Sequence, residues 1–295
     1  MIMYKGLEVL CDALCLVGES PLWIPEKHEL AQVDIRGKRL RRIDMNSGRA
    51  QDTILDKMTA FISETADGRL IGGAVDGIYI INDDGSMQPV NNTYPIKGQR
   101  YNDGKPGPDG KLYMGTFSQD YSAAFYRMDE QGNITELFAG VGNSNGIDWN
   151  EKLGTFYYCD TPTKRIDTFD FNPENGSLSN RRTAVSGLPA GADGMAIDSE
   201  GNLWAALWGD YSVVCVNPEE KKIIRRIDMP VKQPSCCVFA GDDLRDLIIT
   251  SAGTGVSIRE EPLSGATFRI RVDVPGKEHY RYKLEQQSLS STSEK

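Results

Sequence analysis

Apolar and polar residues alternate in short runs along most of this chain, and the runs are cut by Gly, Asp, Asn and Pro. Apolar spacing of three and four, the mark of an amphipathic helix, is scarce. Three segments side by side show the plan: NDGKPGPDGKLYMGTF from Asn102, NSNGIDWNEKLGTFYYCD from Asn143 and GADGMAIDSEGNLWAALWGD from Gly191. Each opens with a polar residue ahead of glycine, then gives a short strand, a turn and an aromatic-rich strand. The stretches GESPLWIPEKHELAQVDIR, AFISETADGRLIGGAVDG and SCCVFAGDDLRDLIITSAG follow the same plan more loosely.

The residues that mark the units, Glu19, Ser63, Asn102, Asn145, Asp193 and Ser235, recur about every forty positions. Six such units of four strands predict an all-β fold, a six-bladed β-propeller with four-stranded antiparallel blades. The fullest unit starts at Gly146 and runs GIDWN, TFYYCDT, RIDTFDFN, a PENG turn and SLSNRRTAV. The residues ahead of the first unit are expected to add an outer strand to the last blade, which closes the ring and hides its edges. Residues 1–285 read as a single propeller domain, and the Ser-rich end, 286–295, as a disordered polar tail. No Trp-Asp dipeptide closes a unit and one Gly-Gly pair occurs (Gly72-Gly73), so the WD and kelch types do not fit.

Composition narrows the function. The 295 residues are 39% hydrophobic and 25% charged, ordinary for a chain that buries a core. A net charge of -9 and a pI near 4.9 argue against a nucleic-acid or anionic membrane partner. No apolar run reaches the roughly 20 residues that cross a bilayer. Glu8 and Asp12 interrupt the N-terminal apolar stretch, so no signal peptide is expected and the predicted location is cytoplasmic. The six cysteines lack metal-type spacing and are expected to be reduced and buried. There are two histidines, His28 and His279, both in segments expected to be exposed. Ser-His-Asp, Cys-His and His-rich or Cys-rich zinc chemistry therefore lack raw material. Any metal has to be held by oxygen.

Equivalent positions of different blades converge on the propeller axis. Glu19, Asn145 and Asp193 then offer two carboxylates and one amide oxygen at one mouth of the channel, a set suited to a hard divalent cation with open positions left for water or substrate. The competing reading is that Asn and Asp before Gly are turn residues. Glutamate in GESP has no such turn role.

The motifs GESPLW, RYNDGKPGPDGKLYMGT, NSNGIDW with FYYCDT, SLSNRR and ADGMAIDSEGNLWAALW resemble those of the gluconolactonase/regucalcin family, over about residues 18–253. That resemblance implies a six-bladed propeller holding one divalent cation, be it calcium, zinc, manganese or magnesium. It implies hydrolysis of a sugar lactone to the aldonic acid. By the same resemblance Glu19, Asn145 and Asp193 hold the metal, and Asp193 doubles as the catalytic base. Arg100 and Asn102 bind the substrate's oxygens, with Asp120 a further substrate contact, and Asp103 stays outside the site. Two departures stand out: serine replaces the second glycine of the usual GEGP, and GADG lacks the usual proline before its aspartate. Trp208 and Tyr211 are candidate pocket walls. The alternatives are a non-enzymatic calcium-binding regulator, a propeller esterase and a protein-interaction platform.

Overall fold

The computed structural model describes residues 5–90 and 99–285. The tail expected at 286–295 lies outside the described residues. Six four-stranded antiparallel sheets form the six blades of a propeller. Blade one comprises Gly18–Ile24, Glu29–Asp34, Arg39–Asp44 and Ala50–Ile54, from axis to rim. Blades two to five repeat this order, with inner strands Thr59–Glu64, Arg100–Pro106, Ser144–Asn150 and Gly191–Ile197. Blade six takes three strands from the end of the ring, Pro234–Ala240, Asp246–Ser251 and Thr267–Arg271, and its outer strand, Leu7–Cys11, from the beginning. Leu7 sits opposite Ile270 in that antiparallel pair, so the first strand closes the ring as expected.

Burial grades from axis to rim. The second strand of blade five, LWAALW, is buried almost throughout, whereas its rim strand Lys222–Asp228 is mostly exposed. Blades stick to each other through apolar faces. Between blades three and four, Phe125 packs 5.1 Å from Tyr158 and 5.5 Å from Phe156, and Tyr113 lies 5.2 Å from Trp149. Truncating a ring so enclosed, as in Phe156→Ala, costs about 3–5 kcal/mol.

The pairing register slips near the start of every inner strand, at Glu19/Leu22, Thr59/Phe61, Tyr101/Asp103, Asn145/Ile147, Ala192/Met195 and Pro234/Cys237. Such bulges turn side chains out of the ladder and towards the channel. Five of the six sequence markers fall at these slips. Ser63 does not: in blade two the slip is at Ala60, and Ser63 lies further along the strand.

After Arg271 the chain crosses one face of the ring as a strap. Ser199 N–H donates to Pro275 O, Tyr282 N–H to Glu64 O and Lys283 N–H to Gly110 O, so the strap touches blades five, two and three. The Glu64 carboxylate takes Arg281 Nε at 2.7 Å and faces His279 Nε2 at 3.0 Å. His279 is thus half-buried and partnered, where the sequence suggested exposure. Lys277, His279 and Tyr280 of the strap line a small cavity of about 70 Å³ at this end of the channel. No helix among the described residues is long and apolar enough to cross a membrane.

Candidate active site

At the opposite mouth lies a cavity of about 420 Å³ lined by Glu19, Arg36, Arg100, Asn102, Asn145 and Asp193 among others. The glycines explain how these side chains come together. A Cβ on Gly146 would sit 2.6 Å from the main-chain oxygen of Asp193, and one on Gly194 would sit 2.2 Å from Cys236 Sγ. Neither glycine has a positive φ, and both lie inside strands. The repeated polar-glycine pair is therefore no turn. Glycine lets neighbouring inner strands approach closely, and the residue before it faces the channel.

Glu19 shows the same economy with a different residue. Ser20, which follows it, has φ 48°, the left-handed region where glycine costs least. The serine hydroxyl compensates by bridging to blade two, accepting from Ile62 N–H at 2.8 Å and donating to Ile62 O at 3.1 Å. The main-chain N–H of Ser20 donates to Glu19 Oε2 at 2.8 Å and fixes one carboxylate oxygen.

A directed chain of hydrogen bonds orders the amides. Arg100 Nη1 donates to Asn102 Oδ1 at 2.7 Å, and Asn102 Nδ2 donates to Asn145 Oδ1 at 3.0 Å. Asn145 Nδ2 donates to Thr161 Oγ1 at 2.6 Å, and that hydroxyl donates to Ala192 O at 2.9 Å. Blades three, four and five are tied by this chain, and the amide oxygen of Asn145 is turned away from Thr161. The Arg100 guanidinium lies 5.1 Å from the Phe117 ring.

The carboxylates are electrostatically poised. Removal from water, and then the charges of Asp193 and Asp103, push Glu19 well above the usual carboxylate range. Burial and then Asp103 do the same to Asp193. Burial also pulls Arg100 down. Among the described residues neither Glu19 nor Asp193 has an ion-pair partner, and nothing hydrogen-bonds to the carboxylate of Asp193, which is 6% exposed. Arg100 offsets part of this, yet two like charges held together without an ion-pair partner are costly in a protein interior unless a cation joins them. Among the described residues no group of three or more His, Cys, Asp and Glu side chains could hold a metal. The donor set here has two carboxylates, with the third oxygen from an amide. Its chemistry fits a hard divalent cation.

The other sequence candidates fall unevenly. Asp103 binds its neighbour's N–H, that of Gly104 at 2.7 Å, and lines the smaller cavity beside Lys105. Asp120 is exposed, with its carboxylate engaged by the Ser118 hydroxyl and by Ser122 N–H at 3.2 Å. It is not among the residues lining the larger cavity, which takes Gln119 from that loop. Trp208 walls the cavity, while Tyr211 turns to Glu261 at 2.5 Å. Thr161, Arg36 and Thr254 were not singled out from the sequence. Thr161 follows the FYYCD strand as the start of a short turn, a pattern that carries no chemical signal.

Residues 17–253 match the family model described as the SMP-30/Gluconolactonase/LRE-like region. The chain belongs to this family. It is 33% identical over 278 residues to a Bacillus subtilis protein provisionally named as the sugar lactone lactonase YvrE, covering 90% of this chain and 94% of that one. Regucalcin of Danio rerio is 31% identical over 281 residues, with the same two coverages. A solved Agrobacterium tumefaciens structure, described as the calcium-binding protein regucalcin, superimposes with a TM-score of 0.88 at 26% identity, covering 95% of this chain and 98% of that chain. The family includes gluconolactonases, so a lactonase-like protein is the coarse functional class.

Proposed function

We propose that this family member is a divalent-cation-dependent sugar lactonase, opening an aldonolactone to its aldonic acid. The observation that carries the proposal is the pair of carboxylates without an ion-pair partner among the described residues, Glu19 and Asp193, facing one cavity with Asn145, Arg100 and Asn102. Glu19, Asn145 and Asp193 would hold the cation, which when bound acts as a Lewis acid towards a carbonyl oxygen. Arg100 supplies a positive donor where negative charge grows on that oxygen, and Asn102, locked between Arg100 and Asn145, orients the ring. A water oxygen attacks the carbonyl carbon while Asp193 accepts its proton. The bond from that carbon to the ring oxygen then breaks, and the ring oxygen takes up a proton to leave as a hydroxyl. Histidine has no part in this. All six cysteines are buried and unpaired, which supports a reducing, cytoplasmic setting.

The test is to strip the protein with a chelator, restore calcium, zinc, manganese or magnesium in turn, and follow acid release from a panel of aldonolactones. Calcium affinity measured on the same samples separates turnover from binding alone. Glu19→Gln and Asp193→Ala are expected to lose cation-dependent hydrolysis and keep the β circular-dichroism spectrum. Full activity in both variants would end the proposal.

A further inference from the structure

The larger cavity carries two arginines, and the lactonase reading uses one. Arg36 follows the second strand of blade one in a turn built on Asp34. The Asp34 carboxylate is buried and accepts N–H groups of Gly37 at 3.0 Å, Val17 at 3.0 Å and Leu16 at 3.1 Å. A Cβ on Gly37 would sit 2.2 Å from Asp34 Oδ2, so the turn closes tightly on its carboxylate. From this fixed base the Arg36 side chain reaches blade six, where Nη1 donates to Thr254 Oγ1 at 2.7 Å. Both residues line the cavity.

Arg36 has no carboxylate partner among the described residues, and neither has Arg100. Several surface arginines in this acidic chain pair, as Arg226 does with Asp210 and Asp228 and Arg271 with Asp243 and Asp246, while the exposed Arg49 and Arg259 have no ion pair among the described residues. An exposed arginine can stand alone at little cost. Arg36, however, is held by Thr254 and is near enough to Arg100 to oppose its charge. The cavity thus sets two guanidinium groups against two carboxylates. A divalent cation on the carboxylates leaves both guanidinium groups uncompensated at one mouth. A neutral lactone would use Arg100 at the carbonyl and leave Arg36 facing water.

We infer that Arg36 and Thr254 form a subsite for a second anionic group on the substrate, so that the preferred lactone carries a carboxylate or phosphate at the end remote from the reacting carbonyl. The inference rests on the lactonase reading for its substrate and on the arginine pair for its charge. The planar guanidinium offers two parallel donors to such a group, with the Thr254 hydroxyl beside it.

The experiment compares kcat/KM for three lactones: a neutral aldonolactone, the monolactone of the matching sugar diacid, and a phosphorylated aldonolactone. Wild type, Arg36→Gln and Arg36→Lys are measured. Calorimetric binding of the sugar diacid and of the matching monoacid is measured on the same proteins, without turnover. Wild type is expected to favour an anionic lactone by about tenfold or more, the discrimination expected of a charged hydrogen bond. Arg36→Gln should bring that ratio towards one, and Arg36→Lys should recover part of it. The better anionic lactone identifies the group as carboxylate or phosphate. A wild-type ratio near one for both anionic lactones, or a ratio that survives Arg36→Gln, overturns the inference. If no lactone is opened yet the diacid outbinds the monoacid and Arg36→Gln removes the difference, the anion subsite stands and the lactonase reading falls. If neutral lactones are opened and the diacid has no advantage, the reverse holds.

Discussion

Ser20 gives the sharpest energetic test, because one residue carries both a strain and its compensation. At φ 48° a non-glycine residue costs about 1–2 kcal/mol relative to glycine. The hydroxyl offsets this with two buried hydrogen bonds to Ile62, of 2.8 and 3.1 Å, each contributing about 1 kcal/mol. Ser20→Ala keeps the strain and strands the Ile62 N–H, so it should destabilise by about 2–3 kcal/mol. Ser20→Gly loses the same bonds, relieves the strain and admits water more readily, so it should cost about 1 kcal/mol. At roughly 2–4 °C per kcal/mol for a chain of this size, alanine should melt about 4–12 °C below wild type, with glycine between them. Thermal unfolding by circular dichroism reads this order. The N–H that donates to Glu19 survives both changes, so cation affinity should hold while stability falls. Equal melting of the alanine and glycine variants would refute the strain. A glycine variant more stable than wild type would refute the bridge to Ile62.

Neutralising the paired acids should stabilise the metal-free protein while removing its activity. The folded-state affinities of Glu19 and Asp193 for protons are raised, so their favourable contribution is complete below the unfolded carboxylate range. It is lost as pH climbs from about 4 through the raised values. Chelated wild type should therefore lose melting temperature over that rise relative to the Glu19→Gln, Asp193→Asn double variant, and a double variant that melts lower than wild type near neutrality would contradict the like-charge account. Added cation should stabilise wild type alone, by about 2.7 kcal/mol at a hundred times its dissociation constant. Thr161→Val removes the hydroxyl that orients Asn145, so cation affinity by calorimetry should fall about 10- to 100-fold, with Thr161→Ser near wild type. Unaltered affinity in the valine variant would separate Thr161 from the site.

The ring itself could be read from the chain because each blade repeats the same local grammar. Five of the six markers land at the inner-strand slips, and in blades four and five the glycine after the marker records a close approach of the next inner strand. Blade two escapes because its slip residue is Ala60, which has no polar atom to show, and Ser63 imitates the pattern at a different depth. The meaning of the glycines was hidden for another reason. What each one avoids is an atom of the next blade, as Gly146 avoids the Asp193 carbonyl about forty-seven residues on. Arg36 and Thr254 meet across 218 residues, a separation no spacing rule bridges. In the loop after GTF, Asp120 has the more conspicuous charge, yet it satisfies its own turn and Gln119 faces the cavity.

The same contrast shows where this fold can bear a costly site. Glu19, Asn145 and Asp193 come from three blades, so no local segment has to tolerate all of them, and the strain at Ser20 and the repulsion between carboxylates act on a ring already closed elsewhere. Closure rests on the pairing of Leu7–Cys11 with Thr267–Arg271 and on the strap across the opposite face. A ring held shut this way cannot relieve crowded charges by opening one blade. Relief has to come from what enters the cavity: a proton on a carboxylate, a cation between the two, or an anion beside the arginines. Each of these acts in the cavity at the mouth opposite the strap, where the side chains of several blades converge.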